Sequence, residues 1–264
     1  MIKLVGISKT FNPGTITEKK AIIDLDLELR EGEFVTVIGG NGAGKSTLLN
    51  LIAGVYEVDS GRILFDGIDV TDQKEHVRAR HLGRVFQDPM LGTAASMEIE
   101  ENLALAVRRG DRRTLRWGIT RDETSLYAER LAEFDLGLET RLTSKVGLLS
   151  GGQRQALTLL MATLKKPRLL LLDEHTAALD PKTARKVLEL TDEIVEREGL
   201  TTFMVTHNMK DAIKHGNRLI MMNAGRIIYD VSGEDKKKLE VADLMRKFEN
   251  VNGEGVVNDR MLLG

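Results

Sequence analysis

The feature that most constrains the fold is a glycine-rich stretch of nine residues that matches the phosphate-binding pattern G-x-x-x-x-G-K-[ST]. It comprises Gly39, Gly40, Asn41, Gly42, Ala43, Gly44, Lys45, Ser46 and Thr47. Residues 34–38 before it are apolar and mostly β-branched, as in a buried parallel strand. Residues 48–53 after it suit a helix. A strand, a glycine loop and a helix in this order predict an α/β fold with a phosphate-binding loop.

Each part of this loop has an expected task in phosphate binding. Glycines permit positive φ and a close approach of the ligand to the backbone. Consecutive amide N–H groups and the positive end of the following helix can then face an anion. Lys45 is expected to reach the β- and γ-phosphates, and the hydroxyl of Ser46 to hold Mg²⁺. The loop therefore predicts a bound nucleotide with Mg²⁺.

Composition excludes several other classes of protein. The 264 residues include 38 basic and 40 acidic side chains, so we expect no whole-molecule electrostatic attraction to nucleic acid. The absence of cysteine excludes disulfides, thiol catalysis and cysteine metal sites. The first residues lack the apolar core of a signal peptide. Apolar runs such as 156–164 are far shorter than the about 20 residues of a membrane helix, so we expect any membrane role to depend on a partner.

A second stretch supplies acids of the kind that phosphate chemistry needs. The apolar run 169–172 reads as a buried strand and leads directly into Asp173 and Glu174. An acid at the end of a strand beside a phosphate loop is the usual partner for Mg²⁺, so Asp173 is assigned to the metal. Glu174 is expected to polarise an attacking water as a general base, a role worth about 10²–10⁴ in rate.

The stretch Leu149-Ser150-Gly151-Gly152-Gln153 is the most discriminating part of the sequence. Ser150 and Gln153 have the S-x-x-Q spacing of a capping box and predict a helix over 151–166. The two glycines are unexpected in a first helical turn, since each costs about 0.8–1 kcal/mol against alanine. Their presence predicts that something approaches the backbone there, as at an anion site on a helix N-terminus.

The order of patterns along the chain predicts how it is organised. Residues 1–89 and 166–235 read as an α/β core with additional antiparallel strands, interrupted by a largely helical stretch at 90–165 that includes the helices 97–107 and 122–134. Residues 235–249 read as one charged amphipathic helix, and residues 250–264 as a loose tail. We therefore expect a single domain over 1–249, in which 236–249 is a C-terminal helix.

Taken together, these stretches resemble the ATPase subunit of ATP-binding-cassette (ABC) transporters over residues 2 to about 235. Residues 39–47 are similar to the family's Walker A motif, 149–153 to its LSGGQ signature, and 169–174 to its Walker B motif with the catalytic glutamate. The resemblance implies a P-loop NTPase fold of the ABC type. It has a mostly parallel core sheet, an antiparallel β subdomain and a helical insert subdomain.

The resemblance also assigns roles to residues that carry no clear signal alone. Gln87 matches the glutamine of the Q-loop, which contacts Mg²⁺ and water, and His207 matches the switch histidine; with Lys45 and Glu174 they form the implied catalytic set. Asp180 matches the D-loop, and Phe11 occupies the position of an aromatic side chain that stacks on adenine. His175 departs from the pattern, because the family commonly has proline after the catalytic glutamate.

In the family, two subunits form a head-to-tail dimer around two ATP molecules. The phosphate loop of one subunit faces Ser150, Gly151, Gly152 and Gln153 of the other, and closure drives a separate membrane permease. The resemblance thus implies ATP and Mg²⁺ as cofactors, a homodimer or paired ATPase subunit, permease subunits, an extracytoplasmic solute-binding protein and no nucleic acid. It places the chain at the cytoplasmic face of the plasma membrane. The residues of these motifs are similar to those of uptake ATPases for amino acids, including aromatic amino acids.

Three questions stay open at this point. A soluble cassette ATPase without a permease and the ATPase of an exporter are the alternative functions. The basic run from Arg108 to Arg116, followed by Trp117, is either a solvated loop or a contact for lipid headgroups or the permease. Met90, Leu91 and Met97 either line a groove for the permease or pack the helical insert.

Overall fold

The computed structural model describes residues 1–111 and 118–252, which divide into two compact units. The first unit comprises residues 1–78 and the described residues from 199 on, and the second comprises residues 79–198. The strands are β1 (Ile2–Phe11), β2 (Lys19–Leu29), β3 (Phe34–Gly39), β4 (Ser60–Phe65), β5 (Ile68–Asp69), β6 (Leu82–Val85), β7 (Leu169–Asp173), β8 (Thr202–Val205), β9 (Arg218–Asn223) and β10 (Arg226–Ser232). The helices are α1 (Lys45–Ala53), α2 (Glu75–Arg78), α3 (Ile99–Val107), α4 (Arg121–Ala132), α5 (Gly151–Thr163), α6 (Pro181–Glu198), α7 (Met209–Lys214), α8 (Gly233–Lys237) and α9 (Val241–Asn252).

The first unit contains an antiparallel sheet with the strand order β2-β1-β4-β5. In β2, Leu25, Leu27 and Leu29 are buried and alternate with more exposed acidic residues, as the alternating pattern predicts for a strand with one face in the core. Both β1 and β2 are long strands, of 10 and 11 residues. They continue because they pair with each other up to Phe11 opposite Lys19.

The phosphate loop grows out of the parallel part of the first unit. β3 pairs in parallel with β8 on one side and with β9 on the other, and β10 runs antiparallel to β9. All six residues of β3 are buried, which is why its sequence is continuously apolar apart from one threonine. Because β3 and β8 run in the same direction, the segments that follow them emerge at the same edge.

The second unit combines two parallel strands with the helices α3 to α6. β6 and β7 pair with Leu82 opposite Leu169, and the four leucines of β7 are buried. Gly83 of β6 lies against α5, since a Cβ atom there would be 2.5 Å from the carbonyl oxygen of Ala162. Together the two units give the mixed α/β architecture that the sequence predicts, with parallel strands, an antiparallel sheet and several helices.

The predicted C-terminal helix is wrong in one respect, because the structure has two helices where the sequence indicates one. α8 ends at Lys237 and α9 begins at Val241. The ammonium group of Lys236 turns into the protein and donates to the carbonyl oxygens of Ile213, His215 and Gly216. A side-chain cap then starts α9, because the carboxylate of Asp243 accepts from the amide of Glu240. Residues 253–264 of the predicted tail lie outside the described residues.

The described part of the basic run has partners within the second unit. Arg108 forms a 2.8 Å ion pair with Glu123 of α4, and Arg109 donates to the carbonyl oxygen of Lys165 at 2.9 Å. Arg112, Arg113, Arg116 and Trp117 lie outside the described residues. In residues 1–111 and 118–252, no helix has the length and apolar character needed to span a bilayer.

Candidate functional site

The phosphate loop adopts the conformation that its glycines predict. Gly42 and Gly44 have φ values of 79° and 104°, in the left-handed region that favours glycine. A Cβ atom on Gly44 would lie 2.5 Å from the carbonyl oxygen of Ala21, and one on Gly39 would lie 2.4 Å from that of Met222. Gly39 and Gly44 are therefore required by the fold of the loop itself, whether or not a ligand is bound.

Lys45 is the first residue of α1, and its side chain folds back along the loop. Its ammonium group donates to the carbonyl oxygens of Gly39 at 2.8 Å and Gly40 at 3.2 Å, and the residue is 5% exposed. No side chain caps the N-terminus of α1, so the amides of its first turn face the loop without a protein acceptor from a cap. A buried cation and an uncapped helix N-terminus at one loop form a site suited to a polyanion.

Two further predicted residues lie in the same unit. The ring of Phe11 is half-buried and meets the edge of Tyr56, with centroids 5.3 Å apart and ring planes at 80°. His207 follows β8, and the amide of Thr206 donates to the carbonyl oxygen of Val37 at 3.1 Å. This register places His207 at the edge where the phosphate loop leaves β3. The first unit thus holds the loop, the aromatic residue and the histidine.

The predicted metal acid lies in the second unit. Asp173 is the last residue of β7, and its carboxylate lies 3.9 Å from the guanidinium of Arg84 on β6. The guanidinium also stacks 4.4 Å from the ring centroid of Phe86, immediately before Gln87. Arg84 therefore holds a positive charge beside the carboxylate that the sequence assigns to Mg²⁺.

Glu174 has an unusual backbone conformation. Its φ of 46° lies in the left-handed region, which a residue with a side chain rarely adopts and which costs about 1–2 kcal/mol. The turn is closed by the amide of Ala177, which donates to the carbonyl oxygen of Glu174 at 3.0 Å. Strain of this kind concentrates at functional positions, so the geometry supports a functional role for this acid.

The side chain of His175, whose role the sequence leaves open, points into the second unit. The residue is 2% exposed, and its Nε2 atom lies 3.2 Å from the hydroxyl oxygen of Thr191 in α6. That hydroxyl donates its proton to the carbonyl oxygen of Val187, so it accepts from His175 and Nε2 carries the proton. The residue that replaces proline is thus an anchor between the strand end and α6.

The predicted capping box at the signature stretch is confirmed. The amide of Gln153 donates to the hydroxyl of Ser150 at 3.3 Å, and the amide of Ser150 donates to the side-chain oxygen of Gln153 at 3.2 Å. α5 begins at Gly151 as predicted and ends at Thr163. The box fixes the hydroxyl of Ser150 at an exposed helix N-terminus.

The two glycines after Ser150 differ in their surroundings. A Cβ atom on Gly152 would lie 2.1 Å from Cγ2 of Thr183 in α6, so this glycine is required by packing within the second unit. Gly151 is exposed, and a Cβ there would have its nearest neighbour, Cδ2 of Leu179, at 3.4 Å. The glycine at position 152 is thus explained by the packing of Thr183 against it. Packing within the chain does not explain the glycine at position 151, where the sequence predicts that another group approaches the backbone.

Gln87 lies exposed in the turn that follows β6. That turn is fixed by Asp88, whose carboxylate accepts from the amide of Met90 at 2.9 Å. The side chain of Gln155 in α5 donates to the carbonyl oxygen of Phe86 at 3.3 Å. α5, the helix that begins in the signature stretch, therefore positions the backbone next to Gln87. In the sequence, Gln155 is simply a second glutamine two residues after Gln153, and nothing there indicates this contact.

Asp180 caps the helix that Pro181 begins. Its carboxylate accepts from the amides of Lys182 at 3.2 Å and Thr183 at 3.1 Å, as expected for an acid before an N1 proline. The hydroxyl and the amide of Thr183 lower the pKa of this carboxyl group below its ordinary value. The predicted D-loop acid is thus ionised and exposed at the start of α6.

Arg78 is a residue of this region that the sequence gives no reason to select. Its guanidinium is buried and donates to the carbonyl oxygens of Leu51 and Ile52, near the C-terminal end of α1. It also donates to the carbonyl oxygens of Val70, Thr71 and Gln73. Burial lowers its pKa from the ordinary value. A buried cation thus holds the far end of the helix whose N-terminus faces the phosphate loop.

The residues assigned to Mg²⁺ offer suitable atoms. Ser46, Gln87 and Asp173 supply a hydroxyl, an amide carbonyl and a carboxylate, all oxygen donors of the kind that this hard cation prefers. Among residues 1–111 and 118–252, no cluster of three or more histidine or acidic side chains could hold a metal by itself.

Comparisons with known proteins identify the family of this chain. A family model described as ABC transporter matches residues 22–177. The chain is 46% identical over 250 residues to a tyrosine transport ATP-binding protein of Clostridioides difficile, covering 94% of this chain and 99% of the relative. It is 41% identical to a sulfate/thiosulfate import ATP-binding protein of Xylella fastidiosa, covering 86% of this chain and 61% of that longer relative.

The fold is also similar to solved structures. One is a dimeric ATP-binding cassette in a post-hydrolysis state, bound to ADP and Pi. The TM-score is 0.75 at 29% identity, and the match covers 88% of this chain and 98% of the other. A second is the ADP conformation of a transporter cassette, with a TM-score of 0.77 at 27% identity over 96% of this chain and 99% of the other.

Proposed function

The chain belongs to the ABC transporter family of ATP-binding proteins and is an ATPase, and on that premise we propose that it powers uptake of an amino acid through a separate permease. The observation that carries this proposal is the phosphate loop itself. Lys45 is buried against the loop carbonyls, and the N-terminus of α1 carries no side-chain cap. Such a loop binds the phosphates of ATP through its amides and its ammonium group.

We assign the hydrolytic step to the side chains that the family resemblance selects. Water attacks the γ-phosphorus, the bond to the bridging oxygen of ADP breaks, and Glu174 accepts the proton of the water. His207 contacts the γ-phosphate, and Gln87 orients the water. Ser46, Asp173 and Gln87 are the residues that would hold Mg²⁺, which supplies charge neutralisation on the phosphates. Phe11 stacks on the adenine, and the strained backbone of Glu174 supports its place in this set.

We propose that the catalytic unit is a dimer with two shared sites. Ser150, Gly151, Gly152 and Gln153 of one subunit complete the phosphate site of the partner, with Asp180 at the same interface. Support comes from Ser150 and Gly151, which are exposed at the N-terminus of α5, where Ser150 and Gln153 form the capping box. A structural neighbour is described as dimeric in its ADP- and Pi-bound state. Closure around ATP excludes water and completes the charge-stabilising shell.

The permease is proposed to dock on the second unit, with the chain held at the cytoplasmic face of the plasma membrane. Met90 and Leu91 are exposed beside the turn that carries Gln87, whereas Met97 is half-buried. The guanidinium of Arg154 contacts the sulfur of Met90 and the carbonyl oxygen of Gly147. These contacts connect the exposed methionine to the segment just before the signature stretch. They favour the docking role for Met90 and Leu91 and a packing role for Met97.

The proposed solute is an aromatic amino acid, delivered by an extracytoplasmic solute-binding protein. The support is the tyrosine transport relative, which matches over nearly its whole length at 46% identity. The sulfate and the spermidine/putrescine relatives match at 41% and 38% over about 60% of their lengths. Cells that depend on this system should take up labelled tyrosine or tryptophan, but neither sulfate nor spermidine. Uptake of sulfate or spermidine alone would contradict the assignment.

The ATPase assignment has a direct test in Glu174→Gln. This change removes the proton acceptor but keeps the shape of the side chain, so MgATP should trap a stable dimer with little hydrolysis. Light scattering after size exclusion measures the dimer, and phosphate release measures turnover. Glu189→Gln is the matched control, because Glu189 lies exposed on α6 and has no assigned role. If Glu174→Gln hydrolyses ATP as fast as this control, Glu174 is not the base.

A further inference from the structure

Lys19 brings a second ammonium group to the phosphate loop. It is the first residue of β2 and lies directly opposite Phe11 of β1 in the antiparallel register. Its Nζ atom lies 3.0 Å from the position that a Cβ atom would take on Gly42, and its Cε atom lies 3.9 Å from it. The side chain therefore reaches from the strand that pairs with Phe11 to the middle of the loop.

This ammonium group has no acidic partner in the described ranges, 1–111 and 118–252, although the chain carries 40 acidic residues. Two other lysines of the same sheet do have such partners, since Lys3 lies 3.8 Å from Glu28 and Lys9 lies 2.8 Å from Asp59, whereas Lys20 has none in the described part of the chain. Lys19 is therefore distinguished from Lys20 by its place beside Gly42. Lys19 is instead exposed beside a loop that already contains the ammonium group of Lys45. Two cations at one loop repel each other, and a bound polyanion relieves that repulsion.

We infer that Lys19 is a second cationic contact for the phosphate chain of the nucleotide, beside the contact made by Lys45. The inference deepens the proposed function and rests on its assignment of the phosphate loop as the ATP site. Lys19 lies between Phe11, which is assigned to the base, and Gly42, which belongs to the phosphate loop. An ammonium group there attracts a phosphate oxygen without being buried, so its contribution depends on salt.

The chain provides a matched control in the next residue. Lys20 is also exposed and carries the same charge, but successive side chains of a strand point to opposite faces. Lys19→Ala and Lys20→Ala thus remove the same net charge from adjacent positions, one beside the loop and one away from it. Lys19→Arg restores the charge with a different shape. Thermal unfolding of each full-length variant checks that the fold is intact.

The experiment is calorimetric titration of MgATP and MgADP into the full chain in 50 mM and 500 mM NaCl. At low salt, Lys19→Ala should weaken both nucleotides about three- to tenfold, the range for an exposed to partly desolvated charged contact. Lys20→Ala should stay within about twofold of the wild type, and Lys19→Arg should recover most of the loss. The effect of Lys19→Ala should shrink at high salt because the charge is screened.

Equal affinities for Lys19→Ala and Lys20→Ala would overturn the inference, and so would a loss that does not change with salt. Lys45→Ala separates this result from failure of the proposed function. If Lys45→Ala binds MgATP as well as the wild type, the phosphate-loop assignment itself is wrong. If Lys45→Ala abolishes binding while the two other alanine variants agree, only the role of Lys19 is lost.

Discussion

The contact between Gly152 and Thr183 gives the sharpest prediction about the signature stretch. Gly152 lies in the first turn of α5, and a Cβ atom there would lie 2.1 Å from Cγ2 of Thr183 in α6. Ordinary van der Waals contact begins at 3.4 Å, so Gly152→Ala requires the two helices to move apart or Thr183 to leave its rotamer. The change should therefore destabilise the fold, although alanine is the better helix former.

The two opposing effects set the size of the change. Replacing glycine by alanine in a helix gains about 0.8–1 kcal/mol, and less in the first turn. Overpacking a closed contact costs about 1–3 kcal/mol. The sum predicts that Gly152→Ala lowers the free energy of unfolding by up to about 2 kcal/mol.

A second change should relieve the clash. Thr183→Ser removes Cγ2 and leaves the Cβ and Oγ1 atoms of residue 183 at 3.5 and 3.8 Å from the new methyl group, within ordinary contact. The hydroxyl that interacts with Asp180 is kept. In a double-mutant cycle, Gly152→Ala and Thr183→Ser should couple favourably by about 1–3 kcal/mol.

Urea unfolding of the wild type, the two single variants and the double variant measures this coupling. Gly151→Ala is the control, because its nearest neighbour would lie at 3.4 Å and its stability should stay within about 0.5 kcal/mol of the wild type. A coupling energy below about 0.5 kcal/mol would refute the reasoning, since unrelated sites add within that error. ATPase activity that stays low in the rescued double variant would report the proposed contact of this turn with the partner's nucleotide.

Three further predictions concern buried charged groups. Arg78→Met should lower the free energy of unfolding by about 2–4 kcal/mol in urea unfolding, because five carbonyl groups each lose one donor while the removal of a buried charge offsets part of the loss. A loss below about 1 kcal/mol would show that water replaces the guanidinium. Lys236→Met should speed amide hydrogen exchange at the C-terminal end of α7, because Ile213 of α7 and His215 just after it accept from the ammonium group. Unchanged exchange there would refute the anchoring role. Burial raises the pKa of Asp211 above its ordinary value of 3.8, so the folded state binds its proton more tightly and the charged form destabilises the fold at neutral pH. Asp211→Asn should therefore raise the melting temperature at pH 7. This gain should be lost as the pH falls through the raised pKa of the folded state towards 3.8, whereas a gain that is independent of pH would contradict the assignment.

Patterns between residues close in the sequence determined much of this protein. The apolar run 34–38 before the glycine loop predicted the buried strand β3, and residues 48–53 predicted the helix α1, which in the structure already begins at Lys45. The S-x-x-Q spacing predicted the capping box of α5, and Asp180 with Pro181 is the acid–proline pair typical of a helix start, here that of α6. These features are local, because a strand, a loop or a cap forms from residues within a few positions of one another.

Tertiary structure alone decided the contacts between residues far apart in the sequence. Thr183 occupies the space that a side chain at position 152 would need. Arg78 binds carbonyl groups at the C-terminal end of α1, and Lys19 reaches Gly42. Likewise, α8 ends at Lys237, next to the inward-facing Lys236, although the amphipathic pattern of the sequence continues. Such contacts depend on how strands pair and helices pack, and periodicity shows that a face is buried without showing what lies against it. The sequence therefore determined the chemistry that the phosphate loop can perform, while packing decided which neighbouring side chains position that loop and which glycines the fold itself requires.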